Sequence, residues 1–217
     1  MKDYTRKTKE YYAKHADTYS ALIASWRMHL IAQYNAKNKV ILDLGCGTGN
    51  YLLKLFNNNV FGIDISKKSI DILKKRTEYT KIKNKKTLIV GNALHMPFKN
   101  NIFDILFSFS TMYYIKELDE VLIQIHRILK PRGIVILEFG NKYSINSVWD
   151  KIMFDVPQFH FSEKRIWSEL DRNGFQIKKV YYRQVIPNFW NKFDKDFVKN
   201  PLLQKISFRM IFVIEKK

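Results

Sequence analysis

The chain has 217 residues, 46% of them hydrophobic, which is enough for one α/β domain with a buried core but short for two. Its net charge of +18 permits attraction to nucleic acid or other anions, but the lysines form no long run and no arginine–aromatic stripe, which favours a compositional origin. Cys46 is the single cysteine, so an internal disulfide and a multi-cysteine zinc site are excluded, and we expect no metal.

The N-terminus lacks the apolar stretch of a secretory signal, and the apolar runs are far shorter than the roughly 20 residues of a membrane helix. We therefore predict a cytoplasmic protein without membrane insertion.

Short β-branched runs alternate with segments of helical periodicity, which is typical of a parallel sheet covered on both faces. An N-terminal helical stretch over residues 7–36 comes first. Ser66 has the position of an N-cap. Predicted strands cover residues 40–44, 60–63, 87–90, 103–109 and 134–139, and predicted helices cover residues 50–56, 67–78 and 118–129.

The C-terminal part breaks this alternation. Ser162 predicts the start of a helix over residues 163–173, and Gly174 its end. Residues 175–182 and 208–214 predict a closing antiparallel pair of strands, and the aromatic segment 186–203 between them has no clear period and is expected to shape a pocket. We interpret 140–205 as substrate-side insertions and tail of a single domain covering residues 1–217.

Three glycines follow the first strand, in the segment VILDLGCGTGN. Without side chains, Gly45, Gly47 and Gly49 let the backbone turn sharply and approach a ligand. Asn50 occupies the place of the third glycine of a dinucleotide fingerprint, which argues against NAD. A tight strand-to-helix connection without a ligand is the alternative.

Polar residues follow the next two strands. Asp64 lies about twenty residues beyond Gly45, the spacing at which a carboxylate can accept both ribose hydroxyls; an aspartate favoured by a helix macrodipole is the alternative. Asn92 and Ala93 lie at the carboxyl end of the third strand, where Asn92 can hydrogen-bond an adenine edge. An ordinary turn explains this segment equally well.

These motifs, in this order, resemble the class I S-adenosylmethionine-dependent methyltransferases, in the small-molecule branch that includes the quinone C-methyltransferases and the sugar and natural-product methyltransferases. The resemblance covers roughly residues 11–175 and includes the FSFSTMYYI and RILKPRGIVILEF segments. It implies a Rossmann-like, doubly wound sheet of seven strands, mostly parallel with an antiparallel last strand. It also implies S-adenosylmethionine as cofactor and S-adenosylhomocysteine as product.

The resemblance assigns roles to single residues. Asp43 orients the glycine loop, Asp64 holds the ribose, and residues 92–94 border the adenine. The resemblance also implies that residues 1–36 form an N-terminal helical lid. Tyr12, Ala16 and Tyr19 resemble a lid-helix pattern in which Tyr19 packs on the methionine moiety; core-facing tyrosines of an amphipathic helix are the alternative. The implied cofactor site comprises Tyr19, Asp43, Gly45, Gly47, Thr48, Gly49, Asp64, Ile65, Asn92, Ala93, Leu94, Ser108 and Phe109.

Two positions depart from the family pattern. Asn92 stands where many relatives carry aspartate, and Arg132 stands where a second glycine is frequent. Neither departure threatens cofactor binding.

Methyl transfer from a sulfonium is an in-line displacement with an activated donor, so alignment in a dry site is the main task of the protein. A general base is useful where the acceptor loses a proton. The candidates are Tyr113, Glu138 and His160, for which packing or loop-stabilising roles are the alternatives. We expect the acceptor between Tyr113, Glu138 and residues 145–161.

Three functions stay open on the sequence alone. The first is methylation of an oxygen, nitrogen or carbon atom of a small molecule. The second is modification of tRNA or another RNA, for which the net charge of +18 is the motive. The third is a non-catalytic cofactor-binding protein that kept the fold.

Overall fold

The computed structural model describes residues 3–14, 21–35, 37–55, 57–79, 86–144, 147, 156–183 and 201–217. The helices are α1 (Asp3–Lys14), α2 (Ala21–Tyr34), α3 (Lys67–Tyr79), α4 (Leu118–Ile128), α5 (Glu163–Arg172) and the single turn α6 (Pro201–Gln204). The strands are β1 (Val40–Leu44), β2 (Asn59–Asp64), β3 (Lys86–Val90), β4 (Phe103–Ser108), β5 (Leu129–Gly140), β6 (Phe175–Arg183) and β7 (Arg209–Lys216). Leu52–Lys54 and Met112–Tyr114 form short 3₁₀ turns.

All seven strands form one sheet in the order β3-β2-β1-β4-β5-β7-β6. Strands β1 to β5 pair in parallel, whereas β7 runs antiparallel to both β5 and β6. This confirms the predicted α/β sheet and its antiparallel last strand. The chain winds outward from β1 in one direction and then continues from β4 in the other, so the carboxyl ends of β1 and β4 border the crevice where such sheets bind ligands.

Hydrophobic cores cover both faces of the sheet. Neighbouring residues of a strand point to opposite faces, so Ile41 packs with Leu30 of α2 and Leu73 of α3, whereas Leu42 packs with Leu122 of α4 and Leu170 of α5. All six side chains are almost completely buried. The two cores hold the carboxyl ends of the strands in fixed register.

The predicted helix caps are confirmed, and most predicted ends agree within one or two residues. Ser66 Oγ accepts a hydrogen bond from Ser69 N at 3.2 Å, and Ser162 Oγ accepts one from Arg165 N at 3.3 Å. These bonds satisfy amide groups that the first turn of a helix leaves without partners.

The helical stretch predicted over 7–36 contains α1 and α2. Two other predictions of local structure were wrong. The helix predicted over 50–56 is only a 3₁₀ turn, because Gly49 has a φ of 86° and Leu55 is already extended. Strand β5 begins at Leu129 instead of residue 134, and its pairing with β4 shifts between Phe103 and Ile105.

Arg132 lies within β5 with a φ of 60°. This is the region of backbone conformation that glycine adopts without strain. The geometry explains in physical terms why a glycine suits this position.

Residues 15–20, 145–146, 148–155 and 184–200 lie outside the described part of the chain, so the pocket prediction for 186–203 falls almost wholly outside it. Within the described part, no helix combines the length and the apolar composition needed to cross a bilayer.

Candidate cofactor and acceptor site

The loop after β1 has three glycines with positive φ, at 77° for Gly45, 50° for Gly47 and 86° for Gly49. A Cβ at Gly45 would overlap the side chain of Thr111, and one at Gly49 would overlap Leu73. A Cβ at Gly47 has no neighbour within 4 Å. Gly45 and Gly49 therefore allow the loop to pack closely against the protein, while Gly47 borders open space that a ligand can occupy.

Asp64, the last residue of β2, holds this loop. Its Oδ2 accepts a hydrogen bond from Gly47 N at 2.8 Å, and its Oδ1 accepts one from Ser66 N at 2.8 Å. Burial raises the pKa of Asp64, and the donors Ser66 N and Gly47 N oppose that effect. Each carboxylate oxygen has a second lone pair, so Asp64 can accept further hydrogen bonds from a pair of hydroxyl groups beside Gly47.

Asp43 lies one residue before the end of β1 and is almost completely buried. Its Oδ2 makes no hydrogen bond within the described part of the chain. Burial, and after it the charge of Asp64, raise the pKa of Asp43 well above its ordinary value. A buried carboxylate without a counter-charge is unfavourable, so this position suits a ligand that carries positive charge. S-adenosylmethionine, with its sulfonium and amino groups, fits that requirement.

Asn92 forms a turn after β3. Its Oδ1 accepts a hydrogen bond from Leu94 N at 3.0 Å, and its carbonyl accepts one from His95 N at 3.0 Å. The turn that the sequence analysis gave as the alternative is therefore present, and it uses the side-chain oxygen of Asn92. The two N–H donors of the Asn92 amide are left for an adenine edge. Ala93 is half-buried beside it.

Other predicted cofactor residues lie at the edges of this site. Thr48 is buried, and its carbonyl accepts a hydrogen bond from Arg76 Nη1 at 2.6 Å. Ile65 is half-buried between Asp64 and Ser66. Tyr19 lies outside the described residues, so its prediction has no structural counterpart.

Ser108 and Phe109, also predicted to bind the cofactor, lie at the end of β4 with buried side chains. Ser108 donates through Oγ at 2.9 Å to the carbonyl of Leu44, the residue before the glycine loop. The ring of Phe109 lies 5.2 Å from the ring of Tyr51, centroid to centroid. Their role in cofactor binding stays a prediction.

A buried group of three charged side chains lies at the carboxyl end of β5; we call Arg27, Glu138 and Arg209 the arginine–glutamate cluster. Arg27 donates from Nε to Glu138 Oε2 at 2.8 Å and from Nη2 to Oε1, and Arg209 donates from Nη1 to the same Oε1 at 2.7 Å. Burial would raise the pKa of Glu138, but the charges of Arg27 and Arg209 hold it below its usual range.

Arg27 links this cluster to the end of β4 and to the segment after the glycine loop. Its Nη1 donates to Tyr51 Oη at 2.9 Å, and its Nη2 donates to Ser110 Oγ at 3.0 Å. Ser110 N donates to Glu138 Oε1 at 3.2 Å. Ser110 has a φ of 55°, an uncommon value for a residue other than glycine. The cluster therefore holds a strained residue at the edge of the crevice, where such strain is often functional.

The three candidate bases meet at this edge of the sheet. Tyr113 is buried, and its Oη accepts a hydrogen bond from Arg209 Nη1 at 3.3 Å. Residues 156–161 cross the ends of β4 and β5, because Phe159 N donates to the Tyr113 carbonyl at 2.6 Å and Phe161 N donates to the Gly140 carbonyl at 3.0 Å.

His160 lies on this crossing segment. A Cβ at Gly140 would overlap its ring, and the ring centroid lies 6.1 Å from that of Phe208. His160 therefore covers the carboxyl end of β5, two residues beyond Glu138. The structure thus brings together the three side chains that the sequence analysis proposed around the acceptor.

The fold and the site define a class I α/β methyltransferase. Residues 35–179 match a family model described as a methyltransferase domain, and the chain belongs to this family. The chain is therefore an S-adenosylmethionine-dependent methyltransferase.

Relatives and a solved structure agree with this class. The chain is 35% identical to an uncharacterised protein of Methanocaldococcus jannaschii, over 88% of this chain and 86% of that one. It is 32% identical to the demethylmenaquinone methyltransferase of Lactobacillus johnsonii, over 68% of this chain and 66% of that enzyme. The structure of magnesium protoporphyrin IX methyltransferase from Synechocystis with bound SAH shares the fold, with a TM-score of 0.73 and 17% identity over 99% of this chain and 100% of that one.

Four side chains of the site were not among the residues predicted from sequence: Arg27, Tyr51, Arg76 and Arg209. A buried arginine within an apolar helix is a usable signal for Arg27, because α2 is otherwise rich in apolar residues. No local pattern distinguishes Arg76 or Arg209 from the many other basic residues.

Proposed function

We propose that the protein transfers the methyl group of S-adenosylmethionine to an oxygen, nitrogen or carbon atom of a small molecule by in-line displacement. The observation that carries this proposal is the pairing of Asp64 with Gly47 at an open position of the loop, beside the uncompensated carboxylate of Asp43. RNA modification rests on overall charge alone, and a non-catalytic role rests on the fold alone.

In this proposal each of the cofactor residues contacts a different part of S-adenosylmethionine. Asp64 accepts hydrogen bonds from the ribose hydroxyls, Asp43 faces the positive charge of the methionine part, and Asn92 donates to the adenine. Gly47 allows the backbone to approach without a side chain. Residues 45–49 and 64 thus bind the donor, and the ends of β4, β5 and β7 bind the acceptor.

When bound, S-adenosylmethionine supplies an already activated methyl group. The chain must hold the acceptor atom in line with the methyl carbon and the sulfur, and must exclude water. A lone pair of the acceptor atom then forms the new bond to the methyl carbon as the carbon–sulfur bond breaks.

Glu138 is a poor base in this arrangement because two guanidinium groups hold its pKa low. We assign it a positioning role, in which it anchors Arg27 and Arg209. If the acceptor loses a proton, His160 is the proposed base, since its ring lies over the end of β5 and a neutral imidazole nitrogen can accept a proton. Tyr113 lines the acceptor side through its ring.

Replacing Gly47 with valine is expected to abolish useful cofactor binding while the protein stays folded. The new side chain enters the open space of the loop, so affinity falls by about two orders of magnitude, or roughly 2.8 kcal/mol. The positive φ adds strain of about 1–2 kcal/mol to the folded state. Titration calorimetry with S-adenosylmethionine and a thermal melt give both quantities. Gly45→Ala is the contrast: its methyl group overlaps Thr111, so stability falls without direct obstruction of the ligand.

The affinity for S-adenosylmethionine is expected to rise with pH. The raised pKa of Asp43 leaves part of it protonated above its ordinary value of 3.8. A bound cation favours the ionised form and lowers that pKa, so binding releases a proton between the bound and free pKa values. Affinity therefore increases through the free pKa of Asp43 and levels off above it.

Calorimetry in buffers of different ionisation enthalpy measures this proton release directly. Asp43→Asn should bind more weakly, without the pH dependence. Equal pH dependence in the variant would assign the release to another group.

The direct test of the proposed function is a transfer assay with methyl-labelled S-adenosylmethionine and pools of quinones, sugars, amines and tRNA. We expect label in a small-molecule pool. Transfer to tRNA alone would overturn the proposal in favour of RNA modification, and absence of any heat of cofactor binding would support the non-catalytic alternative.

A further inference from the structure

Two basic side chains from neighbouring elements contact the carbonyl groups of the glycine loop and of the 3₁₀ turn after it. Arg76 Nη1 donates to the Thr48 carbonyl at 2.6 Å. Lys86 Nζ donates to the Leu52 carbonyl at 3.0 Å and lies 3.5 Å from the carbonyl oxygen of Leu55. In a longer helix, backbone amides would donate to such carbonyls, but the segment after the glycine loop forms one 3₁₀ turn. The two side chains therefore supply donors that a helix would otherwise provide.

Arg76 lies on the face of α3 that packs against the glycine loop. It follows Leu73 by three residues, and residues three apart share one face of a helix. Leu73 occupies the space that a Cβ at Gly49 would need. Arg76 Nη1 also donates to Asn50 Oδ1 at 3.3 Å, so one guanidinium contacts the loop on each side of Gly49. Helix α3 thus contacts the loop through one apolar and one charged side chain.

The contacts of Asp64 and Arg76 flank the open position of the loop. Asp64 Oδ2 accepts a hydrogen bond from Gly47 N at 2.8 Å, and Arg76 donates to the carbonyl of the next residue, Thr48. The two contacts therefore fix the peptide groups that precede Gly47 and follow Thr48. Because glycine can adopt many backbone conformations, these contacts select the conformation in which Gly47 has a φ of 50°.

We propose that Arg76 and Lys86 are positioning residues for the donor, and that both act through the backbone of the glycine loop. This inference rests on the proposed function, because it takes residues 45–49 to contact S-adenosylmethionine. Arg76 fixes the loop at its open position, and Lys86 fixes the turn that follows. The free loop then already has the conformation of the bound loop, so binding costs less conformational entropy.

The test measures the affinity of the full chain for S-adenosylhomocysteine by titration calorimetry and its free energy of unfolding by urea denaturation without ligand. Amide hydrogen exchange of residues 47–49 reports the conformation of the loop. The variants are Arg76→Met, Arg76→Lys and Lys86→Met. Lys75→Met is the matched control, because Lys75 is the exposed neighbour of Arg76 on α3 and its replacement changes the net charge equally.

Arg76→Met is expected to bind S-adenosylhomocysteine about tenfold more weakly than the wild type, because a hydrogen bond from a charged donor is lost. Arg76→Lys keeps the charge and can donate to Thr48, so it should recover part of the affinity. Lys86→Met should lose affinity by a smaller factor, since its contacts lie farther along the chain from Gly47. The loop amides should exchange faster in both methionine variants of the loop contacts, whereas Lys75→Met should equal the wild type in each measurement.

A purely structural role of Arg76 predicts a different pattern, in which the free energy of unfolding falls but the affinity and the exchange of the loop amides stay unchanged in the folded protein. That pattern in Arg76→Met, or an equal loss of affinity in Lys75→Met, overturns the inference. If Arg76→Met does not fold, Lys86→Met decides by the same two measurements. Failure of the proposed function is distinct, because the wild type itself then binds no S-adenosylhomocysteine.

Discussion

Replacing Asp64 with alanine is expected to weaken S-adenosylmethionine binding by one to two orders of magnitude. The carboxylate lies beside the open position of the loop and accepts hydrogen bonds from Gly47 N and Ser66 N at 2.8 Å each. Hydrogen bonds to a charged group contribute roughly 1.5–3 kcal/mol, and every 1.4 kcal/mol is a factor of about ten in affinity. The variant loses the proposed ribose bonds and also releases the loop from β2.

Titration calorimetry with S-adenosylmethionine measures this loss. Asp71→Ala is the matched control, because Asp71 lies on α3 in an exposed pair with Lys67 at 2.6 Å and has no contact with the loop. Its affinity should equal that of the wild type. An unchanged affinity in Asp64→Ala would contradict the ribose assignment, and an equal loss in both variants would point to a general effect of surface charge.

Replacing Glu138 with glutamine is expected to reduce the free energy of unfolding by about 3–5 kcal/mol, the usual cost of removing one partner from a buried ion pair. The neutral amide leaves Arg27 and Arg209 buried without the carboxylate that both contact. Urea denaturation measures this change. The double variant Arg27→Met, Glu138→Leu removes the Arg27 guanidinium together with the carboxylate that it contacts. This variant should therefore recover part of the lost free energy of unfolding. If Glu138→Gln alone leaves the free energy of unfolding unchanged, the cluster is hydrated and does not stabilise the residues that border the crevice.

The same carboxylate makes stability depend on pH. Its pKa is lower in the folded protein than its ordinary value of 4.5. The contribution of Glu138 is therefore complete above the unfolded pKa and is lost as the pH falls through the folded pKa. Glu138→Gln should flatten the stability profile over that acid range. Asp171→Asn, which alters an exposed pair with Lys217, should flatten the profile much less, because solvent screens an exposed ion pair.

The sheet could be predicted from sequence because each strand carries its own signal. Residues 40–44 and 103–108 are apolar runs bounded by turn residues, and their parallel pairing follows from the helices between them. The helix predicted over 50–56 failed for a local reason: Tyr51 to Lys54 are compatible with a helix, but Gly49 and Leu55 leave room for one turn only. Tertiary contacts of the glycine loop decide that conformation.

The contact between Gly47 and Asp64 in the proposed cofactor half of the site was also predictable, since both residues belong to a compact motif with defined spacing. The acceptor half was not. Glu138 was recognised as a candidate, but its partner Arg27 lies 111 residues away and Arg209 lies 71 residues away. No periodicity relates them, so its prediction as a base could not take account of the two charges that lower its pKa.

These separations have a consequence for the order in which the molecule assembles. Contacts between residues 45 and 66 close a short segment, so the donor half can form as soon as β1 and β2 pair. The arginine–glutamate cluster needs α2, β5 and β7 together, and distant contacts form late because large loops must close first. We therefore expect a chain that has partly unfolded from its N-terminus or its C-terminus to keep its affinity for S-adenosylmethionine after it has lost its affinity for the methyl acceptor.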